Sequence, residues 1–248
     1  RVAGRRPHDR FEDATLGLYP VPAGTAVPLF VAARQVDLAR ARQAERDLTW
    51  DEVHRAPYAY AVGVVAVQAT AASASGLPLF VSGAERPAVA GAAVTDLALR
   101  DSLVRFSPTG GPFAVVADSG IATGIRVAGS LRRLALAWVL QSPRLLSRGA
   151  VPPASRILWR RAVVERLDRY APFARFGVPY AVVADGRLLW LAAGYVRAPA
   201  FPLSILASWR GEPVRYLRAG FVGVVDAHSG ETVVFLLEPD DPIAAAWA

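Results

Sequence analysis

The chain has 248 residues and a mass of 26.4 kDa, with 53% hydrophobic and 20% charged residues and a formal charge of +7. A mean hydropathy of +0.29 excludes a disordered or collagen-like chain and leaves room for one large domain or two small ones. Cysteine is absent, which excludes disulfides and thiolate metal sites.

Methionine is absent too, so Arg1 is not a translation start, and the chain is expected to be a processed product or a piece of a longer protein. Residues 1–27, rich in glycine, proline and charge, read as an irregular lead-in. A short strand is predicted over 28–33, then a polar helix over 37–47 with Asp37 as its N-cap. The apolar run 58–67 reads as a buried strand bent at Gly63. It lies inside the uncharged stretch 56–84, where Gln68, Thr70, Ser73, Ser75 and Pro78 argue against a membrane span, so the chain itself is expected to be soluble. Residues 70–95 read as surface loops, and 84–112 holds a candidate sub-boundary. Residues 113–117 form another short apolar run between turn signals.

The middle of the chain reads as helical. Residues 130–141 are apolar enough to predict a helix buried on most sides. Ser155 is a candidate cap for a helix to Tyr170, with Trp159, Val163, Leu167 and Tyr170 along one face. Arg161, Glu165 and Arg169 form i,i+4 pairs on the other. Asp185-Gly186 between two apolar runs is a hairpin signal, and His228-Ser229-Gly230 divides a second such pair. The predicted fold is therefore α+β, with central amphipathic and buried helices packed on antiparallel hairpins and 28–248 as a single domain.

Charge is the most unusual local feature. All 28 basic residues are arginine. Residues 132–175 hold ten of them against Glu165 and Asp168, a segment of +8 in a chain whose remainder is −1. Arg156, Arg160, Arg161 and Arg166 are the candidate interaction face, suited to an anionic lipid surface or an acidic protein partner. The competing reading is ordinary solvated helix exterior. Aromatic platforms and reader motifs are lacking beside these arginines, so no nucleic-acid partner is expected.

Catalytic signals are weak. The sequence has neither a nucleophile elbow nor a phosphate-binding glycine loop, and no catalytic residue is assigned. His8, His54 and His228 are scattered, and Glu238, Asp240 and Asp241 read as a solvated turn, so neither metal nor cofactor is expected. The enzymatic alternative is a degraded or cryptic envelope hydrolase with a site near Asp226, His228 and Asp241. Trp159, Trp190 and Tyr195 read as core aromatics.

Several short motifs occur in a telling order. Ser155-Arg156-Ile157-Leu158, Glu165-Arg166 and Ala171-Pro172-Phe173 are followed by Pro179-Tyr180, Asp185-Gly186-Arg187, Trp190 and Tyr195. Tyr216, Arg218, Val225-Asp226-Ala227, Gly230 and Asp241-Pro242-Ile243 close the series, and Leu131-Arg132-Arg133-Leu134-Ala135 precedes it. This arrangement resembles Uncharacterised Protein Family 0182, large bacterial multi-pass membrane proteins with a big extracytoplasmic region. The resemblance implies an extracytoplasmic domain severed from its membrane anchor, acting in interaction or assembly at the cell envelope, and it implies no reaction. Val178 and Ala193 stand where that family usually carries acidic residues.

Overall fold

A computed structural model describes residues 9–11, 14–20, 26–44, 48–55, 59, 61–72, 74, 76, 78–82, 99–100, 103–117, 123–149 and 151–247. His8 and residues 84–98 and 101–102 of the candidate sub-boundary lie outside the described residues. The lead-in carries two strands, β1 (Asp9–Phe11) and β2 (Thr15–Pro20), contrary to the irregular segment expected there. Both pair antiparallel with β3 (Ala26–Val36), the long strand whose inner residues Leu29, Val31 and Ala33 are fully buried. The helices α1 (Leu38–Ala44) and α2 (Trp50–His54) follow. Thr49 caps α2 in a reciprocal capping box with Glu52, which satisfies two end donors at once.

The apolar run after α2 bends at Gly63, whose φ of 80° favours glycine, and divides into β4 (Ala61–Val62) and β5 (Val64–Ala72). β5 pairs with β3 and with β6 (Pro78–Ser82), a strand in a segment expected to be loop. β7 (Leu103–Val104) closes on β4. A second sheet, in the order β8-β10-β9, is formed by β8 (Phe113–Ala117), β9 (Ile125–Arg126) and β10 (Ser155–Trp159). The Ser155 cap is thus corrected: Ser155 opens a strand, and the helix α4 spans only Val163–Tyr170. Ile157 and Leu158 are both buried in that strand, and Arg160 at φ 52° is incompatible with a helix running through it.

The helix α3 (Ser130–Val139) corrects a second expectation. Only part of its apolar surface is enclosed: Leu136 and Ala137 are buried together with Arg133, while Leu131, Leu134, Trp138 and Val139 are exposed. The Arg133 guanidinium donates to the carbonyls of Leu145, Ser147 and Val151 at 3.1, 3.3 and 2.9 Å. These bonds, all from Nη1, tie the helix to the 3-10 turn Pro143–Leu146 and to the residues after it, and set which face points inward.

The third sheet, like the first, has five strands among the described residues. Here β11 (Arg175–Phe176) and β12 (Tyr180–Ala184) pair with β13 (Arg187–Ala198). A short ribbon, β14 (Ala207–Trp209) and β15 (Glu212–Val214), precedes β16 (Tyr216–Asp226) and β17 (Thr232–Leu236), which complete the order β11-β13-β16-β17. The terminal helix α5 spans Pro242–Ala245. Asp185 and Gly186, at φ 52° and 70°, make the two-residue turn that the sequence signals. β13 buries alternate residues from Leu188 to Val196, with Trp190 fully enclosed. Gly223 of β16 lets α4 approach, because a Cβ there would lie 2.5 Å from Leu167. One buried cluster joins Leu29 and Val31 of the first sheet to Phe106, Leu167, Trp190 and Val225. A smaller one lies under α3. Helices and antiparallel sheets coexist as an α+β fold should, with strands prevailing.

His54 gives this fold an acid sensitivity. Its Nδ1 donates to the Phe113 carbonyl at 3.1 Å, and its ring stacks on Phe113 with centroids 4.0 Å apart. Burial holds its pKa below the ordinary value, an effect that the Phe113 hydrogen bond opposes and Arg161 and Arg42 reinforce. The unfolded chain therefore binds this proton first, and stability falls as pH drops through about 6.5 toward the lower folded value. The urea midpoint of the wild type is expected to fall between pH 7 and pH 5, with a smaller decline in His54→Phe.

Candidate functional site

The four arginines singled out from the sequence take four different environments. Arg156, on β10, donates to the Gly124 carbonyl at 3.3 Å. Arg160 turns outward from the left-handed residue after that strand, its guanidinium 4.7 Å from the Trp159 ring centroid and 3.8 Å from Glu165. Arg161 is no part of a solvent-facing surface: it is 4% exposed, and its guanidinium donates to the carbonyls of Arg105, at 2.7 Å, and Ala59. Desolvation pushes its pKa down to about 10, so it remains a full cation at neutral pH. Arg166, half-buried on α4, donates from Nε to the Gly230 carbonyl at 2.8 Å and to Thr232 Oγ1 at 2.9 Å. Its guanidinium also lies 4.8 Å from the Phe106 ring centroid, and burial lowers its pKa.

Arg160 and Arg166 meet at a groove of about 590 Å³, joined there by Arg169 and Tyr170 from the end of α4 and by the turn before β17. Sequence reasoning missed Arg169, although its i+3 spacing from Arg166 places both on neighbouring positions of one helix. Thr123 lies between this groove and an adjoining cavity of about 360 Å³, and its solvent-shielded Oγ1 has no hydrogen-bond partner among the described residues. Gly230 keeps the turn close to the core: its φ is 72°, and a Cβ there would come within 2.4 Å of Phe106. Among the described residues that line the groove, the one acid, Glu231, is paired with Arg187 at 2.9 Å.

Across the same turn lies a cavity of about 300 Å³ with Arg100, Arg187, Asp226 and His228 on its wall. Asp226 is committed to structure there. Its Oδ1 accepts from the backbone N–H groups of His228 and Ser229 at 2.9 and 2.7 Å, and its Oδ2 accepts from Arg187 at 2.7 Å. Burial works against its ionisation, yet those donors prevail and hold its pKa below the usual carboxylate value. The His228 ring nitrogens face Arg105 Nη1 at 3.1 and 2.6 Å and do not meet the Asp226 carboxylate. Asp241 is in a third place, where its Oδ1 accepts from the Ile243 and Ala244 N–H groups as the cap of α5 and its Oδ2 accepts from the Tyr216 hydroxyl. The structure thus brings Asp226 and His228 to one cavity and leaves Asp241 elsewhere. Among the described residues, no group of three or more His, Asp or Glu is placed to hold a metal ion, and no helix is long and apolar enough to cross a membrane.

Comparison with known proteins adds kinship. The model of an uncharacterised protein family, UPF0182, matches residues 2–248. The chain is 28% identical over its whole length to a UPF0182 protein of Kineococcus radiotolerans and covers 27% of that protein. It is 27% identical to one of Parasynechococcus marenigrum, with 98% of the chain and 32% of the relative aligned. Half of the chain is 34% identical to 14% of a Syntrophobacter fumaroxidans UPF0182 protein. The chain therefore spans about a quarter to a third of the relatives that it matches end to end. No solved structure matches it.

Proposed function

This chain belongs to the uncharacterised protein family UPF0182, and from that premise we propose that it is an interaction module of the cell envelope that grips acidic groups of a protein partner in its arginine-lined groove. One observation carries the reading: Arg160, Arg166 and Arg169 converge on a single concavity where, among the described lining residues, the one carboxylate, Glu231, already has a cation of its own, and Glu165 approaches Arg160 only to 3.8 Å. Guanidinium groups offer forked donors that match carboxylates two bonds at a time. Two of these three are also held in advance. Arg160 rests on Trp159, and the Nε bonds of Arg166 fix its plane, so less rotamer freedom is lost on binding. The exposed ring of Tyr170 at the rim gives a partner segment an aromatic surface to lie against. The envelope setting is part of this proposal and draws on what the family resemblance implies. The hydrolytic alternative gains no support, since Asp226 and Asp241 are bound to backbone donors and to their own partners.

Calorimetric titration with a short polyglutamate peptide tests this reading. Binding is expected at low salt and weakens as salt rises. The pair Arg160→Asn and Arg169→Ser is expected to weaken it at least tenfold, about 1.4 kcal/mol, with little change in Tm. Asparagine is chosen because it tolerates the left-handed backbone at 160. A control pair of equal charge change away from the groove, Arg132→Ser with Arg148→Ser, should leave the affinity within about twofold. Equal losses in both pairs, or no binding at low salt, would contradict the groove.

A further inference from the structure

The described surface carries a second feature that the groove does not use. Residues 198–209 contain no charged side chain, and within them Leu203 and Ile205 are 108% and 90% exposed, with Phe201 and Leu206 exposed beside them. These side chains point outward from a loop that is built rather than collapsed. Ser204 Oγ donates to the Phe201 carbonyl at 2.8 Å, Arg215 Nη1 donates to the Ser204 carbonyl at 2.5 Å, and the Phe201 ring lies 4.9 Å from that of Tyr216. Leu203 itself is held at φ 54°, which a branched residue seldom adopts. The loop therefore keeps its most apolar residues in water at a conformational cost.

The base of the loop has the composition of a membrane interface. Arg197 and Arg215 adjoin it, and Arg210 follows on the β14–β15 ribbon, 4.7 Å from the Trp209 ring and donating to the Phe176 carbonyl at 3.1 Å. Arg197 is paired with Glu212 at 3.3 Å and Arg218 with Glu238 at 2.8 Å, which leaves Arg210 and Arg215 as the cations beside the loop with no carboxylate partner among the described residues. Apolar side chains at the tip, aromatic rings behind them and arginines around the rim match, in that order, the hydrocarbon edge, the interface and the phosphates of an anionic bilayer.

We infer that residues 201–206 form a docking loop that inserts into the outer part of an anionic bilayer. This goes beyond the groove and is separable from it. β13 runs roughly 36 Å from Arg187, whose guanidinium pairs with Glu231 at the groove's edge, to Ala198 beside the loop, so the two features lie at different places along that strand. A domain seated on its loop presents the groove away from the lipid, toward a protein partner.

Sedimentation with vesicles of phosphatidylcholine alone and of phosphatidylcholine mixed with phosphatidylglycerol tests the docking loop. Binding is expected to the mixed vesicles only and to decline with salt. Leu203→Ser with Ile205→Ser is expected to cut the partition at least about tenfold. Leu131→Ser with Trp138→Ser, on the exposed face of α3, should not. Because the chain has no cysteine, Leu203→Cys gives a single position for a polarity-sensitive dye, whose emission should shift to the blue on binding. No vesicle binding, or binding without a blue shift, would overturn the inference. So would a loss of vesicle binding in the Arg160→Asn, Arg169→Ser pair but not in the loop pair, which would make the groove the lipid-facing surface. Sedimentation-velocity evidence that the loop pair abolishes dimerisation while vesicle binding persists would assign the loop to a second copy instead.

Discussion

Arg161→Met is expected to lower the folding free energy by about 3 kcal/mol, measured by urea denaturation at pH 7. The guanidinium joins segments far apart in sequence, since it donates to the carbonyls of Ala59 and Arg105. Its own backbone reinforces the junction, because the Arg161 carbonyl accepts from Ser107 N–H at 3.1 Å. Burial of the cation is itself costly, as its pKa of about 10 records. That cost is fully present below pH 10 and shrinks only as pH rises toward the unfolded value, because the unfolded chain then holds the extra proton. Removing the cation relieves it but leaves two enclosed carbonyls without donors, each worth about 1–3 kcal/mol, and that loss is the larger. The exposed Arg132→Met should change stability by less than about 0.5 kcal/mol. A loss that small at Arg161 would mean that its hydrogen bonds do not hold this junction.

Trp190→Ala is expected to cost about 4 kcal/mol, the largest effect of any single change considered for this chain. The indole is fully buried between the first and third sheets, and its Nε1 donates to the Phe106 carbonyl at 2.8 Å. Trp190→Phe keeps a ring but orphans that carbonyl and leaves a void, for about 2 kcal/mol. Phe106 also supports the groove, with Arg166 over its ring and Gly230 against it. The Phe variant should therefore weaken polyglutamate binding as well, by about threefold, even where the protein remains fully folded. Unchanged binding would show that the groove does not depend on the position of Phe106.

Local signals were legible where the backbone alone decides. Asp185-Gly186 announced its hairpin because a two-residue turn needs positive φ at both positions, and Gly63 announced the bend between β4 and β5 for the same reason. The helix expected from Ser155 holds only from Val163, because Trp159 merely continues the spacing of Val163, Leu167 and Tyr170, while β10 is held by pairing with residues 30 to 46 positions earlier. In α3, the periodicity of leucines could not reveal that an arginine takes the inward position, since the three carbonyls that hold Arg133 lie beyond the helix. The candidate site was half legible. The arginine-rich segment and two groove members, Arg160 and Arg166, stood out from composition. Arg161 did not separate from its neighbour, because a single left-handed residue sends one side chain to solvent and the next into the core. The β16–β17 turn and Thr123 reach the groove only through tertiary packing.

The most direct measurement of the groove as an anion-gripping site is arginine side-chain NMR, following the Nε–Hε resonances while polyglutamate is added. Arg160, Arg166 and Arg169 are expected to shift together along one saturable curve, while Arg132, Arg148 and Arg161 stay in place. Shifts spread over all exposed arginines alike, or confined to those away from residues 160–170, would contradict the account.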